Sequence, residues 1–171
     1  MMVKAGELKF GGVRITISKI ILAITALFAL TLTSCDKARV YEENKQIQDY
    51  KWNYNDAKTF VAEIKDTTQY YNLYVNIRHS FQFDWRNTWV KIVTTFPDGQ
   101  TFDKRVNLVL SEPDGHWLGD CLGDNCDMQV MIQQNAIFPK PGKYTFKIVQ
   151  DMRVNPLTAV KSIGIRIEKN Q

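Results

Sequence analysis

Long apolar runs are scarce in this chain, histidine more so. Its 171 residues include two histidines, three cysteines and five prolines. The longest apolar run, Ile20 to Leu32, falls short of the ~20 residues that span a bilayer core. No long stretch repeats apolar residues at helical spacing, which excludes helical bundles and coiled coils. No Cys-x-x-Cys or His-x-x-x-His spacing is present, so a metal centre of the common structural kinds has no ligand set. No serine or cysteine stands in a nucleophile elbow. Internal repeats and low-complexity tracts are also missing. The formal charge of +4 implies no nucleic-acid surface, because Lys4, Lys9, Arg14 and Lys19 against Glu7 supply most of it before residue 20.

That basic stretch and the apolar run after it have the order of a secretory signal. The basic stretch is long for such a region, which leaves open a start downstream of Met1. The run ends in Leu32-Thr33-Ser34-Cys35. Small residues directly before a cysteine form the lipobox pattern of bacterial lipoproteins. Cleavage before Cys35 and acylation of its sulfur and new amine (palmitate or a similar chain) are expected. Two or three acyl chains, at about 0.8 kcal/mol per buried CH2, give a stable membrane anchor. Residues 1–34 are therefore expected as signal peptide, 35–49 as lipidated N-terminus and tether, and 50–171 as one folded domain of ordinary size. The tether carries charges of both signs, with a first strand expected near Tyr50 and Trp52. Lys37 and Arg39 follow Cys35-Asp36 in place of a run of acids, which favours a periplasmic face; the expected location is the cell envelope, lipid-anchored at the outer membrane or a periplasmic face.

Beyond residue 50 the apolar period is two. Phe60, Ala62 and Ile64 alternate with Thr59, Val61 and Glu63, and Tyr71, Leu73, Val75 and Ile77 share one face in the same way. The same pattern holds for Val90 and Ile92, Val106 to Leu110, Met128 to Ile132, Tyr144 to Ile148, and Ile163 to Ile167. Successive side chains of a strand point to opposite faces, so this is the signature of half-buried sheet. Pro97-Asp98-Gly99, Glu112-Pro113-Asp114-Gly115 and Pro139-Lys140-Pro141-Gly142 supply turns. The expected fold is all-β: an antiparallel β-sandwich of seven or eight strands, Ig-like or jelly-roll-like.

Several residues invite a functional reading. Cys121 and Cys126 read as a small-loop disulfide in an oxidising compartment, with two buried thiols as the alternative. Asp120, Asp124 and Asp127 do not follow the register of a calcium loop, and a turn that packs Trp117 on the sandwich is the better reading. His79 reads as a surface histidine. Phe81, Phe83 and Trp85 alternate within His79–Trp89, either as an exposed strip for a glycan or partner protein or as a loop tucked into the sandwich end. Arg78 and Arg153 each close an apolar segment and read as structural pairs or carbonyl caps, with partner contact as the alternative. Scattered carboxylates point to no catalysis, although a pair that forms only in three dimensions is not legible here.

The order and spacing of certain residues resemble a known family. They are Cys35-Asp36, Tyr41, Trp52, Phe60, Asp66, Tyr71-Asn72-Leu73-Tyr74-Val75-Asn76-Ile77-Arg78, Asn87-Thr88-Trp89, Pro97-Asp98-Gly99, and Gly115-His116-Trp117-Leu118-Gly119 with Gly123-Asp124. At the C-terminal end they are Phe138-Pro139, Gly142, Tyr144, Met152-Arg153, Leu157 and Ile163-Gly164-x-Arg166-Ile167-Glu168. Together they are similar to the gliding-motility lipoproteins of the GldH type. The resemblance implies a cell-envelope protein attached to a membrane by its lipid. It further implies a part in gliding and the associated type IX secretion machinery through contacts with other envelope proteins, with no known catalysis and no cofactor. The alternative function is a glycan- or ligand-binding envelope lipoprotein that uses 79–89. A hydrolase built on the loop Asp114 to Asp127 is a third hypothesis.

Overall fold

The computed structural model describes residues 38–170, together with the backbone of Glu7–Phe10 and Val13–Thr16. The apolar run, Cys35 and the expected cleavage site lie outside the described residues. Glu7–Phe10 (β1) and Val13–Thr16 (β2) pair antiparallel in a compact unit of their own.

The second unit holds the sandwich. Its strands are Arg39–Gln46 (β3), Lys51–Trp52 (β4), Lys58–Ile64 (β5), Tyr71–Ser80 (β6), Asn87–Thr95 (β7), Thr101–Val109 (β8), Asp120–Leu122 (β9), Asn125–Ala136 (β10), Gly142–Gln150 (β11), Leu157–Thr158 (β12) and Val160–Lys169 (β13). One sheet runs β3-β13-β6-β10-β9 and the other β5-β11-β7-β8, with β12-β4 as a small extra pair. Every pairing is antiparallel. The fold is the expected all-β sandwich, with eight long strands. Arg39–Gln46, inside the segment read as tether, is an edge strand paired along β13.

The inward parity is the one the alternation marked. Phe60, Ala62 and Ile64 of β5, Tyr71 to Ile77 of β6, Tyr144 to Ile148 of β11 and Ile163 to Ile167 of β13 are all buried in one core. Trp52 is fully buried and donates its indole N–H to the Asp56 carbonyl at 2.8 Å, so a large apolar ring is sealed with its one polar atom satisfied. Burial of this kind contributes about 25 cal/mol per Å2 of apolar surface.

The Pro97-Asp98-Gly99 turn joins β7 to β8. Phe96 accepts from the Gly99 amide at 2.9 Å, and Gly99 takes φ +85, a left-handed conformation that costs a glycine little. Gly115 plays the same part at φ +90 in the second turn. Cys121 and Cys126 stand directly opposite each other on β9 and β10, and their sulfurs are bonded.

Candidate functional site

Polar and aromatic side chains converge at the end of the four-stranded sheet, between the β6–β7 loop and the β11–β12 loop. The inward parity of β11 runs Tyr144, Phe146, Ile148 and then Gln150, whose side chain is 2% exposed. A buried carboxamide needs partners. Gln150 finds them in the following loop: Oε1 accepts from the Met152 amide at 2.9 Å and Nε2 donates to the Val154 carbonyl at 3.1 Å. The Asp151 amide donates to the Trp89 carbonyl at 2.8 Å, the Trp89 amide donates to Met152 Sδ at 3.2 Å, and the Tyr54 hydroxyl donates to the Met152 carbonyl at 2.7 Å. The loop is thereby fixed by hydrogen bonds to Gln150, Trp89 and Tyr54 before any ligand arrives.

A cleft of about 430 Å3 results. Trp85, Asn87 and Trp89, Arg105, and Asp151 to Val154 line it. Arg105 lays its guanidinium over the Trp89 ring at 4.4 Å. Its Nε donates to Asp151 Oδ2 at 2.5 Å and its Nη2 to the Asp151 carbonyl at 3.2 Å. Cation–π contact of this exposure contributes about 0.5–1 kcal/mol. Asp151 is thus neutralised, whereas Arg153 is exposed and forms no ion pair among the described residues. The cleft carries one uncompensated positive charge beside apolar ring surface.

The structure brings together two residues singled out from sequence, Trp85 and Arg153, and separates the others. Trp85 is 40% exposed and Phe81 48%, but Phe83 is buried at 4%. Of the two readings given for this segment, Phe83 follows the loop tucked into the sandwich end, and the three rings form no period-two strip. Residues 81–86 form a loop with no strand geometry, so parity fails, and Phe83 turns inward against His79 with ring centroids 5.3 Å apart. His79 is a correction. It is fully buried, because it occupies the inward parity of β6 after Tyr71, Leu73, Val75 and Ile77. Trp117 covers it at 4.4 Å, and its Nδ1 contacts the Ser80 carbonyl at 3.0 Å. Burial lowers the His79 pKa, which keeps the ring neutral. Trp117 itself is half-buried and lies against the core.

Arg78 stands on the outer face of the five-stranded sheet, remote from Arg153 in the fold. It donates through Nε and Nη2 to the Asp127 carboxylate at 2.5 and 3.0 Å. The hydrogen bonds it donates to Asp127 raise the Arg78 pKa. Asp124 accepts from Lys161 at 3.0 Å, so the aspartates of 114–127 diverge. Among the described residues no three His, Cys, Asp or Glu side chains gather as a metal site. Sequence reasoning missed Trp89, Arg105 and Gln150. The signal for Gln150 was a polar residue on an inward parity; Arg105 stands opposite Lys91 and reaches Trp89 diagonally, a contact visible only once the strand register is known.

Comparisons with known proteins place this geometry. The family model of the GldH lipoprotein matches residues 39–167. A gliding motility lipoprotein GldH homolog of Christiangramia forsetii is 31% identical over 152 residues, covering 84% of this chain and 93% of that protein. The gliding motility lipoprotein GldH of Flavobacterium johnsoniae is 30% identical over 153 residues, covering 85% and 94%. Among solved structures, a chain of infectious bursal disease virus, Gx strain, is similar at TM-score 0.32 and 11% identity, covering 79% of this chain and 30% of that one. A likeness at that level carries no argument. With the family model spanning nearly the whole sandwich, the chain belongs to the GldH lipoprotein family.

Proposed function

We propose that the protein is a membrane-anchored, non-catalytic component of the gliding-motility and type IX secretion envelope machinery, and that it works by docking a partner protein in the Trp85–Arg153 cleft. Cys35 carries the acyl anchor, and the domain faces the periplasm from the outer membrane. Family membership supports the anchor and the motility role. The observation that carries the docking role is the cleft itself: rigid walls, exposed Trp85, and an Arg153 with no ion pair among the described residues. An exposed tryptophan beside an unpaired arginine is the pairing that dominates protein interfaces. The charge selects a partner segment that offers a carboxylate next to an apolar side chain.

In the native host, Cys35→Ala is expected to leave the chain unacylated and out of the membrane fraction. Trp85→Ala and Arg153→Glu are expected to keep acylation and fold but lose the co-purifying envelope proteins and the motility phenotype. Full function in the Trp85→Ala, Arg153→Glu double variant would overturn the docking role. An unacylated N-terminus in the native protein would overturn the anchor.

A further inference from the structure

The outer face of the five-stranded sheet is ordered to a degree that a solvated sheet face does not require. Antiparallel register sets its side chains in rows. One row runs Gln46, Ser162, Arg78, Asp127, Asp120; the next runs Asn44, Gly164, Asn76, Gln129; a third runs Glu42, Arg166, Tyr74, Met131. Asn76 is the hub. Its Nδ2 donates to Glu42 Oε1 at 2.9 Å and to Asn44 Oδ1 at 3.1 Å, and its Oδ1 accepts from Gln129 Nε2 at 3.1 Å. Arg166 is held by Glu42 at 2.9 Å and by Glu168. Holding this many flexible side chains costs rotamer entropy, which a bare surface has no reason to spend.

The floor is equally specific. A Cβ at Gly164 would meet Asn44 Oδ1 at 1.9 Å and the Glu43 carbonyl at 2.6 Å. Glycine at this place lets the Asn44 carboxamide lie flat across β13 and reach Asn76. Beside it, Ser162 lines a depression of about 370 Å3 together with Asn44, Asn76, Asp127 and Gln129. That volume falls in the usual range of small-ligand sites, about 300–1,000 Å3.

We infer that this depression binds a neutral saccharide. Hydrogen-bonding capacity remains after the internal network is complete. Asn44 Nδ2, Gln129 Oε1, the Gln46 carboxamide and the Asp120 carboxylate have no protein partner among the described residues. Donors and acceptors are therefore interleaved. An anion is disfavoured, because Arg78 and Arg166 are already paired with Asp127, Glu42 and Glu168. A cation would find one unpaired carboxylate, Asp120. An apolar ligand would find a mostly polar lining, with Ile77 and Met128 its apolar members. Sugar hydroxyls donate and accept at every position, so they satisfy both kinds of group at once. This site lies on the opposite sheet from the partner cleft and is independent of it.

The test uses the full-length, acylated protein in detergent and three neutral tetrasaccharides, built from N-acetylglucosamine, mannose and glucose, by titration calorimetry and saturation-transfer NMR. At least one is expected to bind. Asn44→Ala and Gln129→Ala, both at exposed side chains, are each expected to weaken it about tenfold, the effect of one lost hydrogen bond. Gly164→Ala is expected to abolish binding, with thermal unfolding as the check on its fold. Trp85→Ala is expected to leave affinity unchanged. Binding by none of the three sugars would overturn the inference. So would binding that Trp85→Ala removes while Asn44→Ala and Gln129→Ala retain it, since that outcome moves the sugar to the aromatic cleft. Partner recovery in the Asn44→Ala chain is expected to match wild type, which separates failure of this site from failure of the docking role.

Discussion

The two sheets share one core and differ on their outer faces. On the four-stranded sheet the outer parity runs through Thr59, Val61 and Glu63, Lys143, Thr145 and Lys147, and Lys91 and Val93, residues chosen for strand propensity and solubility. Along its middle the cross-strand ion pair is Lys91 with Asp103 at 3.2 Å, and both side chains are about half exposed or more. Its specific chemistry is confined to one end, the Trp85–Arg153 cleft. On the five-stranded sheet the outer face is a connected polar network, with the side chains of Arg166, Glu42 and Glu168 at 16 to 20% exposure. Burial alone would raise the Glu42 carboxyl, but hydrogen bonds from Arg39 and Asn76 and the charge of Arg166 hold it below the usual carboxylate range. Desolvation and Glu168 raise the Tyr74 hydroxyl. The contrast teaches that strand alternation specifies only which side is in. What the outside does depends on whether cross-strand neighbours bond to one another.

The largest expected effects come from the shared core. Phe146→Ala on one sheet should cost about 3–5 kcal/mol and Ile165→Ala on the other about 2–5 kcal/mol, each in a single cooperative urea transition. Two separate transitions would break the picture of one core fed by both sheets. The edges differ next. The Cys121–Cys126 bond closes a loop of sequence separation 5 at the β9 edge, where chain entropy gives about 2 kcal/mol. Reduction should strip hydrogen-exchange protection from β9 and the start of β10 and leave the β7–β8 hairpin unchanged. Equal loss at both hairpins would contradict a local staple.

The outer faces give a sharper contrast at smaller magnitude. Arg166→Ala takes the guanidinium from half-buried Glu168 and one of two cationic partners from Glu42, which keeps Arg39, and should cost about 1–2 kcal/mol, discounted from fully buried values for the remaining solvent contact. Lys91→Ala should cost less than about 0.5 kcal/mol. Equal costs in chemical denaturation would erase the distinction between a network and a solvated face. His79 provides the last test. Its folded pKa lies below the ordinary 6.5, so the unfolded chain takes up its proton first. Stability is complete above the unfolded value and falls as pH drops through it toward the folded pKa. His79→Phe should flatten that part of the pH profile, and an unaltered profile would place the titration elsewhere.

Much of the fold was legible because alternation, β-branching and turn residues agree from Phe60 to Ile167. Tyr71 to Ile77 and Ile163 to Ile167 reveal their inner face without any knowledge of a partner strand. His79 obeys the same parity, and its misreading came from weighing its neighbours Arg78 and Ser80 above its position. Phe81 to Trp85 left two readings open, since parity has meaning only in a strand and this segment is a loop. The cleft and the polar network depend on cross-strand register, Trp89 with Arg105 and Asn44 with Asn76. Pairings between residues so far apart leave no trace in local periodicity.

Site-specific photo-crosslinking in the native host tests the docking claim most directly, with the probe at position 87 in the cleft, which leaves Trp85 and Arg153 in place, or at position 61 on the plain outer face. The expected result is a discrete adduct with an envelope protein from position 87, lost in the Arg153→Glu background, and none from position 61. No adduct from position 87, or the same adducts from both positions, would contradict it.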